Sequence, residues 1–437
     1  MNSKNEMHAC FFSDQEMAKI RSLFQGIDFD PVSNRKRIYF DNAGGAFRLK
    51  AASEAFQALD GMPDCSERIH QAANYMNDIM DKAESDIRMI FHAEKGGRII
   101  PRLSASQVLW ELTGVVAENI AGTNIVTTLL EHPCAFDAAR FFAQKTGKEL
   151  RTAATNPVTG GVDVEAVIKL IDENTCLLSV IMASNISGAV QDIEAIVTEA
   201  RRIKPDLYII VDAVQHAPHG LIDVDALNLD GIAFAPYKFF GVRGAGFGYA
   251  SERLCRLPHK HLIGLSDTAN LTWKLGSPAP AHFAALSAIV DYVCALGGNS
   301  ENTRREQYLA GMKRLRAQEC ALMAYMMEGG NQNGLRHIPG VTVFFDTGDT
   351  VERDLIIGMA LEGWDYEEAV REYERRGIIV YERVCTSIYS VRMLKSLGID
   401  GCIRVSPLHC NSKEEIDEFL AVTADMASHP PRKSEET

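Results

Sequence analysis

Hydrophobic positions recur every three or four residues in five stretches of the N-terminal half of the chain. That spacing collects apolar side chains on one face of an α-helix, so it predicts five amphipathic helices. They span residues 51–59, 76–91, 106–119, 135–145 and 193–203.

Short, nearly continuous apolar runs lie among and after these helices, each about as long as a buried strand. They span residues 125–130, 176–182, 208–211, 231–234 and 246–250. Strands alternating with helices favour a parallel sheet covered on both faces. The sequence therefore predicts an α/β fold with a mostly parallel sheet, whose ligands bind at the carboxyl ends of its strands.

The pattern changes after about residue 290, where a long helix over 303–327 precedes strand and loop units. We expect a large domain over 46–290 and a smaller α+β domain over 291–427, joined by an N-terminal segment over 1–45. Residues 428–437 carry no large apolar side chain, so we expect a disordered tail there.

Composition narrows the function classes. The 437 residues are 46% hydrophobic, enough for two cores, and the formal charge of −13 comes without a long basic run. This argues against a nucleic-acid partner, because phosphate contacts need clustered Lys and Arg. The first twenty residues contain neither a signal-peptide core nor a membrane span. Ten scattered cysteines without a CxxC pair read as free thiols, so we expect a cytoplasmic protein without a membrane or metal partner.

An acid and a lysine follow two neighbouring predicted strands. Asp212 ends the run 208–211, and Lys238 comes shortly after the run 231–234. A lysine can form a Schiff base with pyridoxal phosphate, and a carboxylate can keep its pyridine nitrogen protonated. Taken alone, the pair is weak evidence and is more often a surface lysine and a helix cap.

Six motifs in a fixed order extend this pattern over most of the chain. They are YFDNAGG at 39–45, EHP at 131–133, ASNISG at 183–188, VDAVQ at 211–215, YKFFG at 237–241 and IRVSPLHCN at 403–411. Together they resemble the class V aminotransferase and cysteine desulfurase family of fold-type I pyridoxal-phosphate enzymes. The resemblance implies the fold-type I transferase architecture and pyridoxal 5'-phosphate as the cofactor.

The resemblance also implies a role for each motif residue. Lys238, His132 and Asp212 would be catalytic, with His132 lying on the cofactor ring. A Ser–His pair that usually precedes the lysine is replaced here by Ala235 and Tyr237. The remaining cofactor-binding residues would be Ser104, Ala105, Ser106, Asn185, Gln215, Tyr237 and Ser277. The turn at Ser104 could instead be an ordinary helix cap, and Asn185 and Gln215 could be turn residues without a ligand.

For the substrate, the resemblance implies that Arg404 binds the α-carboxylate of a small amino acid, with Gly44 and Asn185 beside it. A planar guanidinium suits that task because it donates two parallel hydrogen bonds. The sequence around Ser277 resembles an element that reaches the neighbouring subunit's cofactor, which implies a homodimer with shared active sites.

The reaction stays open at this stage. The preferred hypothesis is a desulfurase-like lyase or transferase acting at the α- or β-carbon of the substrate; the alternatives are a conventional aminotransferase and a cysteine desulfurase. A cysteine desulfurase would use Cys385 as its nucleophile, with the charge of Arg383 favouring the thiolate form of Cys385. A buried structural thiol is an equal reading of Cys385. A catalytically inactive binding protein is disfavoured by the complete motif set.

Overall fold

The computed structural model describes residues 10–262, 272–298 and 301–431. Its helices are α1 Asp14–Ser22, α2 Lys50–Asp60, α3 Gln71–Phe91, α4 Ala105–Asn119, α5 Pro133–Lys145, α6 Val164–Ile168, α7 Ile193–Ile203, α8 Val224–Leu227, α9 Glu252–Cys255, α10 Pro280–Gly297, α11 Arg304–Glu328, α12 Tyr366–Arg375, α13 Val391–Leu397 and α14 Lys413–Ser428.

Its strands are β1 Ile38–Tyr39, β2 Arg98–Arg102, β3 Asn124–Thr128, β4 Glu149–Ala153, β5 Thr175–Ile181, β6 Tyr208–Asp212, β7 Gly231–Phe234, β8 Gly246–Ala250, β9 Val341–Val343, β10 Ile357–Leu361, β11 Ile378–Ile379, β12 Tyr381–Val384 and β13 Gly401–Val405.

A seven-stranded sheet in the order β2-β8-β7-β6-β5-β3-β4 forms the centre of the large domain. Strands β7, β6, β5, β3 and β4 pair in parallel, whereas β8 runs antiparallel to both of its neighbours. Every residue of β3, β5, β6, β7 and β8 is buried, as expected for strands covered on both faces. The predicted α/β fold with a mostly parallel sheet is confirmed.

A second, antiparallel sheet in the order β12-β13-β10-β9 builds the smaller domain, with α11, α12 and α14 beside it. Its own core also contains Ile38 and Phe40 from the N-terminal segment. Strand β1 pairs in parallel with β11, and Asp41 bridges to Ser406. The N-terminal segment therefore packs and pairs with elements of the C-terminal part of the chain.

Helix starts are set by side-chain caps. Thr303 and Glu306 form a capping box at the start of α11, and Ser104 caps α4 by accepting a hydrogen bond from the Gln107 N–H at 3.2 Å. At the other end of the chain, Ser428, assigned to the tail from the sequence, is the last residue of α14. Residues 432–437 lie outside the described residues.

Of the helices that the structure describes, only α10 is long and apolar enough to cross a membrane, with a mean hydropathy of 1.3. It packs against α2, α3 and α11, and just over half of it is buried. A helix that is apolar nearly all round and enclosed by three others is typical of a protein core.

Candidate active site

A cavity of about 100 Å³ lies beside the carboxyl ends of β5, β6 and β7. Parallel strands place their carboxyl ends at one edge of a sheet, so distant parts of the sequence meet there. Nine of the ten predicted cofactor-binding residues line the cavity: Ser104, Ala105, Ser106, His132, Asn185, Asp212, Gln215, Tyr237 and Lys238.

Lys238 ends a 3₁₀ turn that follows β7, and its side chain is buried. Its Nζ donates hydrogen bonds to the Ala43 carbonyl at 2.6 Å and to Gln215 Oε1 at 3.2 Å. Burial, together with the nearby Arg404 charge, lowers the pKa of Lys238 to about 7. A large fraction of this amine is therefore neutral near neutral pH and able to act as a nucleophile.

Asp212 is the last residue of β6 and is buried beside Lys238's turn. Its Oδ1 accepts a hydrogen bond from the Val214 N–H at 2.9 Å. Burial raises the pKa of Asp212 to about 6. The Lys238 charge offsets only part of this shift, and Asp212 forms no ion pair with any residue that the structure describes, so a protonated ring nitrogen could supply the missing cation.

His132 is the N-cap residue of α5, where Pro133 fills the first helical position. Its Nδ1 accepts from the Cys134 N–H at 3.2 Å and lies 3.0 Å from Cys134 Sγ. Burial and the Lys238 charge lower the pKa of His132 to about 4, so the ring is neutral. A neutral imidazole can lie against an aromatic ring without placing a second cation beside Lys238.

The sequence alone assigned no role to Glu131. Its fully buried Oε1 accepts from Thr128 Oγ1 and from the Ile181 N–H, both at 2.8 Å, and its Oε2 has no hydrogen-bond partner. Burial raises the pKa of Glu131 to about 8. It joins the ends of β3 and β5 just behind His132. The EHP motif contained the signal, since an acid directly after a buried strand is rarely buried without a task.

The start of α4 forms one wall of the cavity. Gly246 on β8 makes this possible, because a Cβ added there would lie 2.0 Å from the Ala105 backbone nitrogen. The helix start therefore packs directly on β8, and its first residues offer backbone N–H groups where an anion can bind. Ser106 also lines a neighbouring groove of about 1100 Å³.

Ser277 does not lie in the cavity of its own chain. It is exposed and lines the neighbouring groove, where its hydrogen bond to Glu67 lowers the pKa of that carboxyl. The cavity and the groove share Ser106, so the two spaces adjoin at the end of the cavity formed by α4.

Arg404 lies on β13 and is buried against the N-terminal segment. Its guanidinium donates to the Asn185 carbonyl at 3.0 Å and pairs with Asp41 at 2.5 Å. Gly44 lies next to that carboxylate, since a Cβ there would come within 2.7 Å of Asp41 Oδ2. Arg404 thus lies beside Asn185 and Gly44 beside Asp41, but Arg404 already holds an anionic partner, which sequence reasoning missed.

Two cysteines lie near the site in different ways. Cys385 follows β12 directly, is half-buried, and begins the loop that carries Tyr389 to a ring distance of 6.4 Å from His132. Cys134, which sequence reasoning missed, lines the cavity itself, and burial together with Asp212 raises the pKa of its thiol to about 12. The thiol beside the cofactor residues is therefore protonated, whereas Cys385 is not one of the residues that line the cavity.

The residues present fit pyridoxal phosphate. A buried amine and a buried carboxyl share one cavity, the start of α4 offers anion-binding amides, and the buried Asn185 Oδ1 lacks a hydrogen-bond partner. In the part of the chain that the structure describes, no group of three His, Cys, Asp or Glu side chains is placed to hold a metal ion. Fold and site together define a pyridoxal-phosphate-dependent enzyme of fold type I.

The chain belongs to the aminotransferase class-V family, whose sequence profile matches residues 38–419. A cysteine desulfurase of Yersinia pestis (strain Pestoides F) is 28% identical over 283 residues, which cover 61% of this chain and 69% of the relative. The predicted family, enzyme class and cofactor are confirmed.

Solved structures of the same fold span nearly the whole chain. An apo cysteine desulfurase from Thermococcus onnurineus NA1 superposes with a TM-score of 0.79 at 21% identity, over 96% of this chain and 99% of that one. The cysteine desulfurase CsdA from Escherichia coli gives a TM-score of 0.75 at 20% identity, with the same coverage. At these identities, the likeness shows the shared fold.

Proposed function

We propose that this enzyme breaks or forms a bond at the α- or β-carbon of a small amino acid, as a desulfurase-like lyase or transferase. The observation that carries the proposal is the buried Lys238 amine in one cavity with Asp212 and Gln215. When bound there, pyridoxal phosphate supplies an aldehyde that condenses with amines and a ring that accepts electrons.

The cavity residues would divide the work of holding the cofactor. Lys238 is the attachment point, Asp212 keeps the pyridine nitrogen protonated, and His132 lies against the ring. Asn185 and Gln215 bind polar groups around the ring, and Tyr237 donates one hydrogen bond near the phosphate. The phosphate itself is held by the helix start at Ser104, Ala105 and Ser106.

Substrate binding and proton transfer fall to the other face of the cavity. Arg404 binds the α-carboxylate, with Gly44 and Asn185 beside it, and Asp41 occupies the guanidinium until the substrate arrives. The Lys238 amine would take a proton from the α-carbon and return it, because its pKa of about 7 suits both directions near neutral pH.

The attachment at Lys238 is tested by reduction of the purified yellow protein with borohydride, followed by peptide mapping. The modified peptide should contain Lys238, and Lys238→Ala should lose the adduct, whereas Lys36→Ala on the surface should keep it. Recovery of the reduced cofactor on another lysine would remove Lys238 from this role. Product analysis with candidate amino acids then separates a lyase from an aminotransferase, which would release a keto acid.

A cysteine desulfurase using Cys385 is the second candidate. It is favoured by the cysteine desulfurases among the relatives and by the loop that runs from Cys385 to Tyr389 beside His132. In that reaction the Cys385 thiolate would attack the substrate sulfur, so that an S–S bond forms, the C–S bond breaks and the electron pair stays on carbon. Cys385→Ser should then abolish sulfur release from cysteine without changing the cofactor spectrum.

Cys134→Ser is the matched control for that experiment, because its thiol lies in the cavity but is held protonated. Sulfur release that survives Cys385→Ser would exclude Cys385 as the acceptor. The absence of sulfur release from the unaltered enzyme would favour the lyase or aminotransferase reactions.

We also propose a homodimer with shared active sites, in which Ser277 reaches the partner's phosphate site. The groove that holds Ser277 adjoins the cavity at Ser106, which supports such a contact. Mixing Lys238→Ala chains with chains altered at Ser277 should restore one competent site per heterodimer. A monomer in sedimentation that keeps its full cofactor content would refute this. The ten unpaired cysteines support a cytoplasmic location.

A further inference from the structure

Two arginines share one face of the small antiparallel sheet. Strands β12 and β13 pair so that Arg383 faces Cys402 and Tyr381 faces Arg404. The Tyr381 ring lies close to both guanidiniums, at 5.8 Å from Arg383 and 5.0 Å from Arg404. Side chains opposite each other on paired strands point to the same side, so both arginines face the large domain with Cys402, which belongs to its core cluster.

Both arginines are almost fully buried, with exposed fractions of 4% for Arg383 and 2% for Arg404, and neither Nε has a hydrogen-bond partner. Their surroundings differ in charge. Arg404 is paired with Asp41, whereas no carboxylate of the described residues lies within ion-pair distance of Arg383. The hydrogen bond recorded for Arg383 runs from Nη2 to the Tyr389 carbonyl at 2.9 Å.

A buried guanidinium without an anion is costly, and the protein satisfies its other buried arginines more fully. Arg316 donates to Asp354 and to the Val351 carbonyl, and Arg353 donates to the carbonyls of Phe345 and Ser187. Among the described residues, Arg383 has a single carbonyl acceptor, so most of its planar fork of donors meets no partner there. An anion from outside the chain would complete it.

Arg383 also belongs to the electrostatic surroundings of the reactive groups. Burial and Arg404 lower the pKa of Lys238 most, and the charge of Arg383 lowers it further. Burial and Lys238 lower the pKa of His132 most, and the charge of Arg383 adds to that effect. Arg404 donates to the backbone of Asn185, whose side chain lines the cavity. The Arg383–Arg404 pair therefore borders the side of the cavity where a substrate would lie.

We propose that Arg383 binds a second anionic group of the substrate, so that the enzyme acts on amino acids whose side chain ends in a carboxylate or a comparable oxyanion. The inference rests on the proposed function, in which Arg404 binds the α-carboxylate. The charge of Arg383 is buried near the reactive Lys238. An anionic side chain of the substrate would neutralise that charge on binding.

The test uses the cofactor-loaded enzyme and two probes without an amine, succinate and propionate, whose dissociation constants are measured by calorimetry. Succinate should bind more tightly than propionate to the unaltered enzyme. Arg383→Gln should weaken succinate binding on the order of tenfold to a hundredfold and change propionate binding less than about threefold. Arg404→Gln should weaken both probes. Arg376→Gln, a surface arginine paired with Glu372 and Asp425 in the same domain, is the control.

Equal weakening of both probes by Arg383→Gln would overturn the proposal, because the two arginines would then share one carboxylate. No effect on either probe would overturn it as well. Arg383→Lys keeps the charge without the fork and should bind succinate with intermediate affinity, which preserves the test if the glutamine variant does not fold. Failure of the proposed function is distinct: the purified protein would carry no cofactor on Lys238, whatever the probes do.

Discussion

Two buried groups of charged residues adjoin at residues 215 and 216 and are built in opposite ways. One is the cavity around Lys238, reached by Gln215. The other, here called the junction network, consists of His216, His219, Arg316, Glu319 and Asp354. Asp354 lies 3.1 Å from His216 Nδ1 and 3.3 Å from Arg316 Nη1, and Glu319 lies 2.9 Å from His219 Nδ1.

The pKa values in the two groups move in opposite directions. Burial moves the pKa of Lys238 to about 7 and that of Asp212 to about 6, so both groups approach neutrality. In the junction network, burial alone would raise the pKa of Asp354, yet His216 and His219 bring it below its usual range. Burial would likewise lower the pKa of His219, but Glu319 and Asp354 raise it.

The difference teaches what each group is for. Paired charges in the junction network tie the large domain to the small one, while uncompensated groups in the cavity stay available for a ligand. The two are mechanically joined, because the Asp354 N–H also donates to the Gly188 carbonyl at 2.8 Å in the turn that carries Asn185. The network therefore supports the cavity from behind.

The largest effect on stability should come from Asp354→Ala. This change leaves His216 and Arg316 buried without their anion, so the free energy of unfolding should fall by about 3–5 kcal/mol. Chemical denaturation measures it, with Glu199→Ala as the control, because that surface carboxylate pairs with Arg202 across one helical turn and its loss should cost about 0.5 kcal/mol or less. Equal losses in the two variants would abolish the distinction between the groups.

Asp212→Ala should separate activity from stability. The rate of the catalysed reaction should fall on the order of 10³-fold, about 4 kcal/mol in activation free energy, because the protonated ring nitrogen loses its partner. The free energy of unfolding of the cofactor-free protein should change by less than about 1 kcal/mol, since the carboxyl is buried at a cost and forms no ion pair with the described residues. Nearly unaltered activity would show that Asp212 is not the ring partner.

Glu131→Gln should change stability little at low pH and reveal itself as the pH rises. Because the folded pKa of Glu131 is about 8, above its usual value, its contribution to stability is complete below the unfolded pKa and is lost as pH rises through about 8. Relative to the glutamine variant, the unaltered protein should lose about 1 kcal/mol per pH unit between pH 5 and 8. Parallel pH profiles from denaturant titration would contradict this.

Much of the fold followed from hydrophobic spacing, and the exceptions have a physical reason. The five predicted strands are all present, within two residues at their ends, because buried strands are continuous apolar runs. Strands β2 and β4 were not predicted. Both lie at edges of the sheet and contain several half-exposed or exposed residues, so neither shows such a run, and β2 also contains Pro101.

The candidate site was predictable where one motif sits at one strand end. Lys238, Asp212 and His132 each lie at or shortly after the end of a strand and could be placed at the cavity from the sequence. The partners of Arg404 and Arg383 could not, because they arise from pairing across β12, β13 and the N-terminal segment. Register between distant strands decides which charges meet, and hydrophobic spacing carries no record of that pairing.

Pairing of β1 with β11 also sets the order of events during synthesis. Ile38 cannot pair with Ile378 until Ile378 has left the ribosome, roughly 20 to 70 s after Ile38 at about 5–20 residues per second. Until then Phe40, which is fully buried in the folded protein, has no core to pack into, and Asp41 cannot form its ion pair with Arg404. The nascent chain therefore carries an apolar segment that chaperones can recognise, and the substrate pocket closes only after β13 has emerged.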